Sequence, residues 1–330
     1  MKLIYIANNR IPTTKANGKQ IVKTCEAFAD ASIVTELWLP NRKQPDNMEN
    51  NDLFSFYRVK NIFKVRKVFT IDLLLKARTL PRVIQIFIYY LQEISFDIGL
   101  LMLNAKKEVI YTRSISAAAI FKLKGLRVFY EIHNITDNKL MFFIHKFLWR
   151  QFNGLIVISQ GLKKVLDAQG LSSIVAEDAV DIKEFKEISK ATARNKLNLD
   201  LKKKIIIYTG SLYERKGVYV LANAAKKIDD PNVLFLFIGG VNGNSDVLKM
   251  KKYLVKYQIT NINLTGFVSP DLIPLYLSSA DILVLPSSAK GKESREYTSP
   301  MKLFEYLAAG RPIVATSTPA YEEILNDNNA

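Results

Sequence analysis

One cysteine and two histidines are all that the 330 residues offer to a disulfide or a soft metal. Cys25 has no second cysteine to pair with, so no intramolecular disulfide and no multi-thiolate centre can form. His133 and His145 alone fit a histidine-based zinc site poorly. No metal is expected, and the cysteine usage suits a reducing cytoplasm. Long hydrophobic runs are also missing. The apolar run at residues 3–7 is too short for the central region of a signal peptide. The longest nearby stretch, residues 83–91, falls well short of the ~20 residues of a spanning helix. There is no low-complexity tract or short-period repeat. The GxGxxG fingerprint and the GxxxxGK[ST] phosphate loop are both absent. A cytoplasmic protein, soluble or peripheral on the inner membrane face, is expected.

What is present is basic charge, unevenly spread. Residues 1–170 hold 26 Lys/Arg and 13 Asp/Glu, a net of +13, whereas the remainder holds 21 and 18, a net of +3. Residues 58–82, bounded by Arg58 and Arg82, carry eight bases and one acid, Asp72. Interleaved with Phe63, Val65, Val68, Phe69 and Ile71, this stretch is read either as an anionic-membrane contact or as a solvated basic loop and helix face. Nucleic acid is not expected as a partner, because the aromatic residues fall mostly in apparent core runs rather than on stacking platforms.

Short β-branched runs alternate with amphipathic stretches along the whole chain. Residues 3–7, 33–39, 109–112, 128–131 and 155–158 read as buried parallel strands of a first half. Helices are expected through Ile21, Val22, Cys25 and Phe28, and over 115–124. The second half restarts with strands at 205–208, 233–238, 262–265, 282–285 and 312–314. Its helices are placed at 218–228, 247–257, 270–278, 302–308 and 320–325, with Ser269 as N-cap and Pro270 in the first turn. This alternation predicts an α/β fold of two parallel-sheet domains. They are placed at 1–182 and 183–330 with a charge-rich join at 181–204. Two such halves are expected to face a cleft, with ligands beyond the carboxyl ends of the strands.

Two segments carry chemistry. In the first, a buried strand ends at Gly210, and a loop with Arg215 and Lys216 leads to Gly217 and a helix. Glycine permits close backbone approach. The helix start supplies N–H groups, and two cations at the mouth suit a diphosphate. In the second, Ser299 and Pro300 open a helix that carries Lys302 and Glu305 and ends at Gly310. The Glu305 carboxylate can accept two hydrogen bonds from the vicinal hydroxyls of a ribose.

Together, the run from Ser299 and Pro300 through Lys302, Glu305, Tyr306, Ala308 and Gly310 to Pro312, the Gly210–Arg215–Lys216–Gly217 loop, Gly239–Gly240, Gly266–Phe267 and Asp281 resemble a known signature. It is that of retaining glycosyltransferases of family four, the glycosyl transferases group 1, which have the GT-B fold of two Rossmann-like domains. The resemblance implies an N-terminal acceptor-binding domain and a C-terminal nucleotide-sugar-binding domain. It implies Arg215 and Lys216 as the donor diphosphate clamp, Glu305 as the ribose ligand, and Ser299, Pro300, Met301 and Lys302 as a loop whose backbone faces the phosphates. Phe267 and Val268 fall beside the nucleobase. Gly18, in the loop after the first strand, and His133 fall at the reaction centre, and His145 is assigned to packing. The co-substrate is then a nucleotide-diphosphate sugar, with no cofactor and no required metal. The acceptor is a saccharide or a lipid-linked saccharide of envelope or exopolysaccharide synthesis. Tyr297 stands where the family often has a second glutamate. The chain stops at Ala330 after one helix beyond the signature, where the resemblance implies more, so a shortened C-terminus is expected. A nucleotide-sugar epimerase of the same shape and a non-catalytic binder remain the alternatives.

Overall fold

The computed structural model describes residues 1–13, 15–44, 52–185, 188–240, 245–287, 296–297 and 299–326, with only the backbone at 76 and 78. The chain forms two compact units, Met1–Ile158 with Leu162–Ala176, and Ser159–Gly161 with Glu177–Ala330. The division thus falls before Glu177 rather than at 182/183.

In the first unit the elements are β1 (Lys2–Ile6), α1 (Ala16–Asp30), β2 (Val34–Pro40), α2 (Leu53–Tyr57), β3 (Lys64–Val68), α3 (Arg82–Leu101), β4 (Val109–Thr112), α4 (Ile115–Leu123), β5 (Arg127–Ile132), α5 (Lys139–Trp149), β6 (Gly154–Val157), α6 (Gln160–Asp167) and β7 (Ile174–Val175). Among the described residues they build one seven-stranded sheet in the order β3-β2-β1-β4-β5-β6-β7, parallel at every pairing. Tyr5 lies between Leu37 and Tyr111 in register. The side chains of β1 are buried on both faces, and that is why the strand reads as a continuous apolar run. Its odd residues pack with Ile21, Val22 and Cys25 of α1 and Tyr57 of α2. Right-handed crossovers then place α3, α4 and α5 on the opposite face, where Trp38 and Phe121 meet edge to face at 5.9 Å.

Beyond the short elements α2, α6 and β7, which the sequence did not announce, β3 and α3 differ from the sequence expectation. The basic stretch contains an edge strand, β3, whose Val68 is buried and whose Lys64, Arg66 and Lys67 are exposed. Lysine and arginine on an edge leave little apolar signal, and they discourage pairing with other chains. The apolar stretch at 83–91 is the front of a 20-residue helix, long and apolar enough by composition to cross a membrane, whose most apolar 18-residue window is 28% buried. Its polar positions Gln92 and Ser95 are buried, so the apolar run is shorter than the helix.

The second unit comprises α7 (Lys190–Lys196), β8 (Lys204–Thr209), α8 (Val218–Lys227), β9 (Val233–Ile238), α9 (Ser245–Lys256), β10 (Ile262–Gly266), α10 (Ile273–Ser279), β11 (Ile282–Leu285), α11 (Met301–Ala309), β12 (Ile313–Ala315) and α12 (Pro319–Glu322). Its parallel sheet has the order β10-β9-β8-β11-β12. Ile205 and Ile207 point to the side covered by α10 and α11. Tyr208 points to the side covered by α8 and α9. The strand order reverses between β8 and β11, and ligands of such sheets bind beyond the carboxyl ends there. The expected join at 181–204 is part of this unit, because Arg194 of α7 is buried and tied to Asp281 at 2.6 Å. Ser269 precedes a 3-10 turn, Pro270–Leu272, without capping it, because its hydroxyl turns to the Asp271 carboxylate.

Candidate functional site

The carboxyl end of β8 is built for close approach. Gly210 has φ +131°, and a Cβ there would strike the Lys302 amine. Its N–H donates to the Ile238 carbonyl at 2.7 Å, and Gly239 N–H donates to the Gly266 carbonyl at 2.8 Å. The ends of β8, β9 and β10 therefore form one glycine-lined edge. A 3-10 turn, Glu214–Lys216, follows, with the Arg215 guanidinium 5.5 Å from the centre of the Tyr213 ring. Gly217 takes φ +74° and hands the chain to α8, whose first N–H groups have no intrahelical acceptors. A Cβ on Gly217 would collide with the Pro286 carbonyl. Gly217→Ala is expected to lower stability by about 2 kcal/mol or more, since the left-handed penalty alone is ~1–2 kcal/mol. Thermal unfolding would measure it.

Opposite this loop lies α11. Lys302, Glu305 and Tyr306 are spaced i, i+3, i+4 and share one face. The Tyr306 hydroxyl accepts the Thr209 N–H at 2.9 Å. The Tyr208 hydroxyl donates to the Ser211 carbonyl at 2.8 Å and accepts from the Lys302 amine at 3.3 Å. That amine also sits 4.6 Å from the Tyr208 ring centre. Burial, then the charges of Lys216 and Arg215, pull the Lys302 amine down to about 7, and Glu305 opposes them. Three cations and one carboxylate thus share one field. Mutual repulsion among the cations makes it a favourable place for a doubly charged anion.

The structure therefore brings together Gly210, Arg215, Lys216, Lys302 and Glu305. Val268 packs into the core behind α10 and α11, while Phe267 is half exposed at the end of β10, on the glycine-lined edge. Ser299 does not cap α11. Its hydroxyl accepts the Asp178 N–H at 2.8 Å, and the cap position is Pro300. The N–H groups of Met301 and Leu303 turn back to the Ser299 and Pro300 carbonyls at 3.1 and 2.8 Å. The side chain of Lys302, more than this backbone, faces the glycine loop. Thr298, in the same run, lies outside the described residues. Tyr297 is buried, and its carbonyl accepts the Ser159 hydroxyl at 3.2 Å.

The family model described as "Glycosyl transferases group 1" matches residues 189–330. Residues 189–330, less than half of the chain, thus resemble the group 1 glycosyl transferases. A processive diacylglycerol alpha-glucosyltransferase of Acholeplasma laidlawii is 27% identical over 146 residues, 44% of this chain and 41% of that protein. A putative colanic acid biosynthesis glycosyl transferase, WcaI of Escherichia coli K12, is 27% identical over 147 residues, 44% of this chain and 34% of that protein. The aligned part thus spans less than half of either relative. Over 99% of the chain the fold matches Anabaena Alr3699/HepE solved with UDP, with TM-score 0.71, 15% identity and 83% of that chain covered. TarM matches over 100% of the chain and 88% of its own, with TM-score 0.71 and 11% identity. The fold is GT-B-type α/β with two Rossmann-like units.

Outside the group 1 segment, the first unit holds the other two candidates. Gly18 lies in the first turn of α1, not in the preceding loop. A Cβ there would strike Thr13 and the Tyr57 hydroxyl, and that hydroxyl donates to the Thr13 carbonyl at 2.9 Å. Glycine at this position therefore lets α2 hold the β1–α1 loop. His133 follows β5 with its Nε2 2.7 Å from Glu131 Oε1. Glu131 is buried, and burial raises its carboxyl. The His133 hydrogen bond, the Arg113 charge and the Tyr111 hydroxyl overcome this and hold it at about 2. Tyr111 donates to it at 2.7 Å, and Arg113 lies at 2.9 Å. A fixed carboxylate thus orients the imidazole. His145 packs against Trp149 on α5. A pocket of about 500 Å³ opens beyond the end of β1, lined by Asn9, Arg10, Thr13, Lys15, Asn17, Leu74, Leu75 and Gln85. Sequence reasoning missed Tyr208, Tyr306, Glu131 and Arg113 as positioning residues. Tyr306 and Glu131 each adjoin a motif, but partners 97 and 18 residues away carry no local signal.

Proposed function

We propose that the chain transfers a sugar from a nucleotide-diphosphate sugar to a saccharide or lipid-linked acceptor with retention of anomeric configuration, in envelope or exopolysaccharide synthesis. The observation that carries this is the cation-rich face formed by Arg215, Lys216 and Lys302 with Glu305 at the carboxyl end of β8. The diphosphate binds the cations, the ribose hydroxyls donate to Glu305, and the base lies towards Phe267. As the glycosidic bond breaks, negative charge grows on the departing diphosphate and an oxocarbenium-like sugar forms. Fixed cations stabilise that charge without reorganising, so no metal or further cofactor is required. The first unit positions the acceptor, and His133, whose imidazole Glu131 orients, is its candidate residue for handling the acceptor hydroxyl. The working location is the inner membrane face of the cytoplasm, with residues 58–82 towards anionic lipid. UDP in the solved Alr3699/HepE complex supports a nucleotide donor.

Glu305→Ala and Arg215→Ala are each expected to weaken binding of a nucleotide-diphosphate sugar about 10- to 100-fold, the range for a charged hydrogen-bond partner. Titration calorimetry with circular dichroism as the fold control measures this. Undiminished affinity in both variants would remove the donor-site assignment. Retention is tested separately by the anomeric configuration of the product.

A further inference from the structure

The first turns of α3 project exposed apolar side chains. Val83, Ile84, Ile86, Phe87, Tyr89 and Tyr90 are between 43% and 79% exposed. At about 100° per residue they cover roughly 220° of the helix circumference. An amphipathic helix seated in a protein groove needs a stripe only a little over ~100° wide. So broad an arc fits a continuous apolar medium better than a groove. No charge occurs between Arg82 and Glu93.

The projecting turns are held rigidly. In the second half of α3, Gln92, Ser95, Phe96, Gly99 and Leu100 are buried. The Ser95 hydroxyl accepts the Ile71 N–H at 2.9 Å. A Cβ on Gly99 would strike the Phe69 carbonyl, so the helix lies directly on the chain that leads into it. The neighbouring edge strand β3 exposes Lys64 and Arg66, and Arg82 opens the helix itself. Basic groups flanking an apolar surface are complementary to anionic headgroups, and tyrosine rings favour the lipid–water boundary. Helices after parallel strands run back along them, so the start of α3 lies at the carboxyl edge of the sheet. The pocket at that edge includes Gln85 of α3 with Leu74 and Leu75. The start of α5, with exposed Leu140 and Phe143, lies at the same edge.

We propose that the first turns of α3 insert into the interfacial layer of an anionic bilayer and hold the adjoining pocket at the membrane surface, where a lipid-borne acceptor reaches it. This rests on the peripheral attachment proposed above. It assigns the main contact to the apolar helix, with the basic stretch in a supporting role.

The test uses the full chain with Phe87→Cys carrying a polarity-sensitive fluorophore. Cys25 is fully buried with its thiol pushed up by burial, so the label goes to the new thiol. Vesicles of phosphatidylcholine with phosphatidylglycerol should shift the emission to the blue, and brominated acyl chains should quench it. The same label at Leu123→Cys, at the far end of α4, should do neither. Ile86→Asp with Phe87→Asp should lower vesicle co-sedimentation about tenfold or more. Lys64→Ala with Arg66→Ala should lower it by a smaller factor. Equal responses at positions 87 and 123, a blue-shifted label before vesicles are added, or undiminished sedimentation of the double aspartate variant would each overturn the proposal. Donor affinity of the double aspartate variant should match wild type. A failure at the membrane is thereby separated from a failure of the sugar-transfer reading.

Discussion

Asp281→Ala is expected to destabilise the second unit by about 3–5 kcal/mol, the cost of stripping one partner from a buried ion pair. The carboxylate accepts hydrogen bonds from Lys190 at 2.6 Å, Arg194 at 2.6 Å and the Ile205 N–H at 2.7 Å. Asp281 N–H in turn donates to the Ile205 carbonyl at 2.8 Å. One residue thus ties α7, the start of β8 and the start of β11. Arg194, only 2% exposed, also donates to the carbonyls of Ser279, Leu201 and Lys203. Those carbonyls keep it in place, so its charge would stay buried when Asp281 is lost. A loss of that size is a large share of the ~5–15 kcal/mol that holds a domain. Because β8 also sets the position of Gly210, donor affinity should fall with it.

The same carboxylate gives the unit an acid-sensitive contribution. Burial raises the Asp281 carboxyl, but the hydrogen bonds from Lys190, Ile205 and Arg194 and the Arg194 charge overcome it and bring it to about 2. A depressed carboxyl stabilises fully above its unfolded value near 3.8, and that stability is lost as pH falls from there through about 2. Glu131 loses its contribution in the first unit over a similar range, starting near 4.5. A whole-chain melt would merge the two. Hydrogen exchange of peptides from α7 and β8 separates them. In Asp281→Asn the acid-dependent part of their protection should shrink, and unchanged protection would count against the network.

The fold was legible because its strands are buried on both faces. Val109–Thr112, Val233–Ile238 and Ile282–Leu285 were delimited to the residue from apolar runs alone. β3 was not, because an edge strand with three bases has only one apolar side to show. α7 was hidden for a related reason. Its inward residue is an arginine, which reads as surface until Asp281, 87 residues on, is brought beside it. The site was half legible. Arg215, Lys216 and Glu305 stood in segments whose glycines and helix start have their own physical meaning. The motif placed Ser299 as a cap, whereas its hydroxyl serves Asp178. Lys302 was assigned for its backbone, whereas burial and the Tyr208 hydroxyl make its amine the distinctive group.

That amine supports the second large prediction. Lys302→Met keeps an unbranched side chain, shorter by one heavy atom, and removes a buried charge. At pH 7 it is expected to weaken nucleotide-sugar affinity about 10- to 100-fold, as for other charged hydrogen bonds, while leaving the melting temperature of the unliganded protein unchanged or raised. The second effect follows from linkage. The Lys302 amine sits at about 7 in the fold against 10.5 in the unfolded chain, so between those values the unfolded state binds more protons and stability rises with pH. The groups around it are Tyr208 on β8, Arg215 and Lys216 in the 3-10 turn, and Glu305 and Tyr306 on its own helix. A bound pyrophosphate adds negative charge to that set and raises the amine, so binding above pH 7 takes up a proton. Wild-type affinity should therefore fall as pH rises from about 7 to 9, by up to tenfold per unit. The pyrophosphate diester of a nucleotide sugar does not itself titrate there. Calorimetry in buffers of different ionisation enthalpy counts the protons directly. Lys302→Met should bring uptake close to zero and flatten the profile. An unchanged proton count would show that Lys302 does not face the donor.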